Sequence, residues 1–190
     1  MAGQVGEKPS ETAIRVELVD RDGTTVGTEG KLDAHLAPGR LHRAFSVFLF
    51  DARGRLLLQR RAGGKYHSPL VWSNTCCGHP HPGEAPFLAA ARRTAEELGA
   101  APAMLAGAGT VVYELQDPDS GLVEREFNHL FVGEAPERLR PDPDEVAETA
   151  FASPAELAAL RERSAFSVWF TTVLEASLPE IRRRFPEAGW

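Results

Sequence analysis

Residues Gly78–Gly99 read GHPHPGEAPFLAAARRTAEELG. The second half has the grammar of a helix. Pro86 stands at the first turn, alanines fill the middle and Gly99 follows the last periodic residue, so a helix is predicted over Pro86–Leu98. Gly78, Glu84, Arg92, Glu96, Glu97 and Gly99 are spaced so that a glycine-bearing loop feeds an acidic helix. That arrangement can aim several carboxylates at a divalent cation, which in turn can hold a diphosphate. A plainer reading is a solvated helix face, because Arg92–Glu96 and Arg93–Glu97 are i, i+4 pairs worth only a few tenths of a kcal/mol each. The joint spacing with Gly78 and Glu84 favours the first.

Working outward, Ile14–Asp20 reads as a short strand ending in the turn Arg21-Asp22-Gly23, and Gly30–Arg40 as a loop carrying Lys31 and His35. Ala44–Phe50 (AFSVFLF) is an apolar strand with a central position in a sheet. Arg55–Gln59 returns after the turn at Asp51–Gly54 as its hairpin partner. A basic loop, Arg60–Leu70, leads into Val71–Pro82. Gly109–Leu115 and Val123–Val132 read as strands around a turn at Asp117–Gly121, and Glu145–Phe151 as a shorter one. Ser153-Pro154-Ala155-Glu156 has capping-box spacing, so a helix begins there. An amphipathic helix is expected over Ala165–Arg184. The sum is an α/β (α+β) chain with mixed sheet pairing and helices packed on it. It is expected to comprise a loose tail over 1–13 and one domain over 14–190.

The chain has 190 residues, enough for one sizeable core, with 43% hydrophobic and 25% charged residues as in ordinary globular proteins. A net charge of -6 argues against a general affinity for nucleic acid or anionic membranes. No apolar run approaches the roughly 20 residues that span a bilayer. The cysteines are the neighbours Cys76 and Cys77, which cannot staple distant segments, so a reducing cytoplasmic location is expected. We expect a monomer or weak dimer.

The gaps in the opening stretch match the Nudix signature, G-x5-E-x7-R-E-U-x-E-E-x-G-U, at most of its fixed positions. Arg93 stands where the signature has the glutamate on which Nudix hydrolases rely for activating metal. A guanidinium there suits gripping a phosphate without cleaving it.

Trp72-Ser73-Asn74-Thr75-Cys76-Cys77-Gly78-His79-Pro80 resembles the W-(T/S)-N-(S/T)-x-C-G-H-P segment of type I isopentenyl-diphosphate isomerases. The resemblance continues through Lys31, His35 and Leu41-His42-Arg43-Ala44-Phe45-Ser46 upstream, and through Glu124-Arg125-Glu126 and Ala165-Phe166-Ser167-Val168-Trp169 downstream. It implies a Nudix fold, a mixed sheet between helices with an N-terminal strand extension. It also implies interconversion of isopentenyl and dimethylallyl diphosphate by moving a proton.

The same resemblance implies roles by position. His35, His42, His79, Glu124 and Glu126 would hold a divalent ion, Mg²⁺, Mn²⁺ or Zn²⁺, a choice that imidazole and carboxylate donors leave open. Lys31, Arg61, Lys65 and Arg93 would bind the substrate's diphosphate, and Glu97 a Mg²⁺ bridging to it. Cys77 and Glu126 would carry protons, with Tyr113 on the carboxylate and Trp169 as a π face for a developing carbocation. Glu124 and Glu126 lie two apart on a predicted strand, so they share a face.

Cys76 and Trp72 are read as packing, and His67, His81 and His129 as ordinary histidines without a site role. A Nudix hydrolase of nucleoside diphosphate derivatives remains the rival enzyme, and a non-catalytic diphosphate-binding module the rival outside catalysis. Adjacent cysteines without a C-x-x-C make a redox role weak.

Overall fold

The computed structural model describes residues 14–65, 67–102 and 104–190, so the tail expected over 1–13 lies outside the described residues. The described chain opens with an antiparallel hairpin, β1 (Arg15–Val19) and β2 (Thr25–Gly30). The sequence reading missed β2, whose stretch TVGTEG has no apolar alternation and no fully buried residue. Lys31–His35, expected as loop, forms a short helix, α1, too brief to show helical periodicity.

An apolar strand β3 (His42–Phe50) follows and is central, pairing with four others. Its residues are apolar toward both sides. Phe45, Val47 and Leu49 join one buried cluster, while Phe48 and Phe50 join the other. β4 (Leu56–Arg61) returns from the turn but meets β3 only at Phe50↔Leu56. The expected hairpin therefore holds at its turn only, and beyond it β4 runs along β9 (Val146–Ala152). The cause is a wedge from the segment carrying β5 (Trp72–Ser73) and β6 (Cys76–Gly78). The Thr75 hydroxyl accepts from Leu49 N at 2.9 Å and donates to Leu57 O at 2.5 Å, replacing ladder bonds between β3 and β4. β6 then pairs with β3 from Phe45↔Gly78 to Val47↔Cys76.

Helix α2 spans Pro86–Leu98, as the opening stretch predicted, and ends on Gly99 at φ +69°. A Cβ at Gly99 would sit 2.3 Å from Arg140 O, so glycine is required there for space as well as for conformation. α2 buries Ala89, Ala90 and Leu98 against the Phe45–Leu49 face of the sheet. β7 (Met104–Gln116) and β8 (Val123–Glu134) form a long antiparallel pair, and β8 also runs parallel to β3 from His42↔Glu126 to Phe50↔Glu134.

The predicted capping box is present at Ser153, opening α3 (Pro154–Arg161). The last helix, α4 (Phe170–Arg184), starts later than expected. Residues Ala165–Ser167 are drawn out as extended chain by Trp72, whose N–H donates to Ala165 O at 2.9 Å and whose carbonyl accepts from Ser167 N at 2.8 Å. α4 covers the opposite sheet face through Phe170, Val173 and Ile181, so the mixed sheet lies between helices.

Gly133 is a close-approach glycine in the β7–β8 pair. A Cβ there would lie 2.0 Å from Met104 O. Gly133→Ala must push the two strands apart, and thermal denaturation should show a loss of about 2–3 kcal/mol, with lowered Tm.

Candidate active site

Strand pairing assembles the site. The parallel register of β3 and β8 sets His42 beside Glu126, and the antiparallel register of β7 and β8 sets Tyr113 on its other side. β6 places Cys77 opposite Ser46 of β3. Together with α1, α2 and the loop after β4 these strands enclose a cavity of about 580 Å³. Lys31, His35, Arg61, Lys65, Cys77, His79, Arg93, Glu97, Tyr113, Glu124, Glu126 and Trp169 all line it. His42 alone of the expected residues stands behind the wall, fully buried, with Nε2 facing His79 Nε2 at 3.1 Å.

His35, His42, His79 and Glu126 each offer a donor atom, and these lie within 4.8 Å of one another. Two rings are oriented from behind. His35 Nδ1 donates to Lys31 O at 2.6 Å and His42 Nδ1 to Arg40 O at 2.7 Å, which turns each Nε2 inward; burial opposes charge on His35, but Glu124 beside it raises that ring's pKa. Glu126 Oε1 completes the group, 3.1 Å from His79 Nε2 and 3.8 Å from His42 Nε2.

Burial and neighbouring imidazoles push His42 down to about 3 and His79 well below its usual range, so both rings are neutral. Converging lone pairs and a carboxylate repel unless something positive sits among them. Separations near 3 Å are those that a cation about 2.0–2.1 Å from each donor imposes. The residues therefore fit a divalent metal ion.

Glu124 stands beside this quartet rather than in it. One oxygen lies 3.5 Å from His35 Nε2 and the other makes a short contact with His67 Nε2. Burial opposes its charge, but His35 and His67 outweigh it and hold its pKa well below the usual range. Glu126 moves the other way, raised by burial and by the charge of Glu124. Two neighbouring carboxylates are thus pushed in opposite directions, Glu124 toward the ionised form and Glu126 toward the protonated one. Tyr113 donates a short hydrogen bond to Glu126 Oε2, and Asn128 Nδ2 donates to the same oxygen at 2.9 Å. The Cys77 thiol is pushed up to about 11 by burial and the nearby carboxylates, against Arg61, so it is protonated at neutral pH.

The other end of the cavity is cationic but internally paired. Arg93 contacts Glu97 at 2.6 Å, Glu96 at 2.7 Å and Glu145 at 3.2 Å. Lys65 makes a short ion pair with Glu145. Arg61 donates to the carbonyls of Ser68 and His67, and its guanidinium carbon lies 5.6 Å from the centre of the Trp169 ring. Glu97 is buried and accepts from Gln59 Nε2 at 3.1 Å.

The reading of His67 as an ordinary histidine is corrected here. It lines the cavity, contacts Glu124, and its ring lies 5.3 Å from that of Trp169. Asn128 and Glu145 also line the cavity and were missed. His67 had a faint signal, two residues after Lys65 in the basic loop. Asn128 had one too, continuing the alternation of Glu124 and Glu126. Glu145 had none. Cys76 and Trp72 pack in the core as expected.

The NUDIX domain model matches residues 40–170, and the chain belongs to that family. Solved structures agree on the fold. A protein from Deinococcus radiodurans superposes with a TM-score of 0.68 at 20% identity, covering 89% of this chain and 98% of that one. The MutT protein from Methanosarcina mazei does so with a TM-score of 0.58 at 19% identity, covering 74% and 94%. Within the family the chain is 68% identical over 179 residues to the isopentenyl-diphosphate Delta-isomerase of Streptomyces griseus, covering 94% of this chain and 91% of the relative. It is 43% identical to the isopentenyl-diphosphate Delta-isomerase of Halorhodospira halophila, covering 84% and 93%. The chain therefore belongs to the isopentenyl-diphosphate Delta-isomerase family and is an isomerase. No helix among the described residues is long and apolar enough to cross a membrane.

A stripped sample should bind Mn²⁺ or Zn²⁺ at the histidine cluster with a rise in Tm, since a ligand at 100 times its Kd stabilises by about 2.7 kcal/mol. His42→Ala should abolish that rise, and because His42 is fully buried its truncation should also lower the metal-free Tm. Differential scanning fluorimetry with and without metal reads both.

Proposed function

We propose that the chain interconverts isopentenyl diphosphate and dimethylallyl diphosphate, with Cys77 and Glu126 as its two proton carriers. The observation that carries this reading is the pairing, within one cavity, of a protonated Cys77 thiol with a buried Glu126 carboxyl raised toward proton-holding. An alkene is a very weak base, so protonating it needs a positioned acid and a site shielded from water. The two groups come from β6 and β8, which pair with opposite edges of β3, so they reach the cavity from different strands.

The cationic end, Lys31, Arg61, Lys65 and Arg93, receives the diphosphate. Phosphate oxygens take over from Glu145 as partners of Lys65 and Arg93. The hydrocarbon end then lies against Trp169, whose π face stabilises a tertiary cation by about 2 kcal/mol when desolvated. Tyr113 holds Glu126 in place. His35, His42, His79 and Glu126, with Glu124 beside them, would hold one divalent ion, Mn²⁺, Zn²⁺ or Mg²⁺. Glu97 would hold Mg²⁺ together with the diphosphate. Bound cations supply fixed positive charge, which positions the carboxylate and neutralises phosphate. Two unpaired cysteines, Cys76 and Cys77, support a reducing, cytoplasmic setting, and residues 14–190 are read as one domain.

Proton NMR of isopentenyl diphosphate in D₂O with Mg²⁺ tests the reading. Dimethylallyl diphosphate should appear with deuterium in its carbon skeleton. Release of inorganic phosphate or a monophosphate would overturn it in favour of hydrolysis.

A further inference from the structure

Asn128 continues the face that carries Glu124 and Glu126 along β8, and it is 1% exposed. Its amide nitrogen makes two contacts, to Glu126 Oε2 at 2.9 Å and to the Tyr113 hydroxyl at 3.1 Å. An amide nitrogen only donates. The Tyr113 oxygen therefore accepts from Asn128, and its own O–H points at Glu126 Oε2. The three side chains form a closed set with one direction, Asn128 to Tyr113 to Glu126, and Asn128 donating directly to the carboxylate as well. Turning the amide over would set its oxygen against the carboxylate, so the orientation is determined by the partners.

Both donors meet the same oxygen of Glu126. The other oxygen, Oε1, is left to face His79 and His42. The carboxylate is thus held by one edge on the hydroxyl–amide side and offers the other edge to the imidazoles.

We propose that Asn128 is a positioning residue for the isomerisation. It fixes the direction of the Tyr113–Glu126 hydrogen bond and keeps Oε2, not Oε1, on the proton-carrying side. The inference rests on the reading above in which Glu126 and Tyr113 take part in proton transfer. Without Asn128 the tyrosine hydroxyl can rotate and the carboxylate can turn about its last bond. Both motions cost turnover while leaving the diphosphate grip and the imidazole cluster in place.

The test is Asn128→Leu, close in shape and lacking the donor, with Asn128→Ala as a second variant should leucine fail to fold. Steady-state kinetics should show kcat lower by about 10- to 100-fold, the range for losing a group that orients a site residue. KM should stay within about 2-fold, and metal per chain, measured by atomic emission, should be unchanged. In a Tyr113→Phe background the same substitution should cost at least about 5-fold less, because the two residues act through one bond network. Unaltered kcat, loss of metal in step with activity, or equal cost in both backgrounds would each overturn the proposal. Tyr113→Phe and Glu126→Gln at full activity would overturn the reading beneath it. Those variants impaired beside an unaffected Asn128→Leu would sink this inference alone.

Discussion

Cys77→Ala is expected to lower kcat for the isomerisation by about 10³- to 10⁴-fold, the upper part of the range for losing a positioned acid or base. KM should change little, because the substitution leaves the cations of the cavity and the ion pairs of Arg93 and Lys65 with Glu97 and Glu145 in place. The fold should tolerate the change. The thiol is only half-buried, and alanine keeps the β6 backbone that pairs with Ser46. Circular dichroism and metal content should therefore match the parent protein. Cys76→Ala makes a useful contrast: that side chain is fully buried in the cluster with Phe45 and Leu57, so its loss should lower Tm and spare kcat. The same kcat for Cys77→Ala as for the parent would remove the thiol from the mechanism.

Glu126→Gln should have an effect at least as large, on the order of 10⁴-fold in kcat, because the amide cannot take or deliver the proton. Here metal affinity should fall too, since Oε1 belongs to the group formed with His35, His42 and His79. Supplying excess metal separates the two effects. If saturating Mn²⁺ or Zn²⁺ restores full occupancy while kcat stays low, the carboxylate moves a proton. Recovery of activity along with occupancy would leave it a ligand only.

The difference between the neighbouring carboxylates shows why one of them is suited to this. Both lie on one face of β8 and both are buried. Glu124 meets His35 and His67 and keeps its charge, whereas Glu126 feels Glu124 and is raised. Replacing His67 by a group without a donor would remove a contact that holds Glu124 low, and so would weaken that contrast.

Much of this was readable in the residues alone. The helix at Pro86–Leu98 was legible because its signals are local: Pro at the start, Gly99 at the end, small residues between. The capping box at Ser153 was legible for the same reason. The apolar run of β3 announced a central strand, and it pairs with four others. The candidate site residues come from short motifs spread along the chain, and the cavity collects them all except His42, which stands directly behind it.

What the tertiary structure alone decided depends on segments far apart in the chain. β2 has no side-chain pattern of its own and exists through backbone pairing with β1. β4 pairs with β9 because Thr75, from another segment, takes the bonds that a hairpin would have used. The start of α4 is delayed because Trp72 draws Ala165–Ser167 into a bridge. His67, Asn128 and Glu145 acquire their roles only from what they touch: a histidine or an amide carries no label until a carboxylate lies within hydrogen-bond reach. Local signals determine elements and motif spacing, because they act through neighbours in the chain. The opposite shifts of Glu126, raised, and Glu124, lowered, are set by burial and by partners brought from elsewhere in the chain, and those exist only in the folded protein.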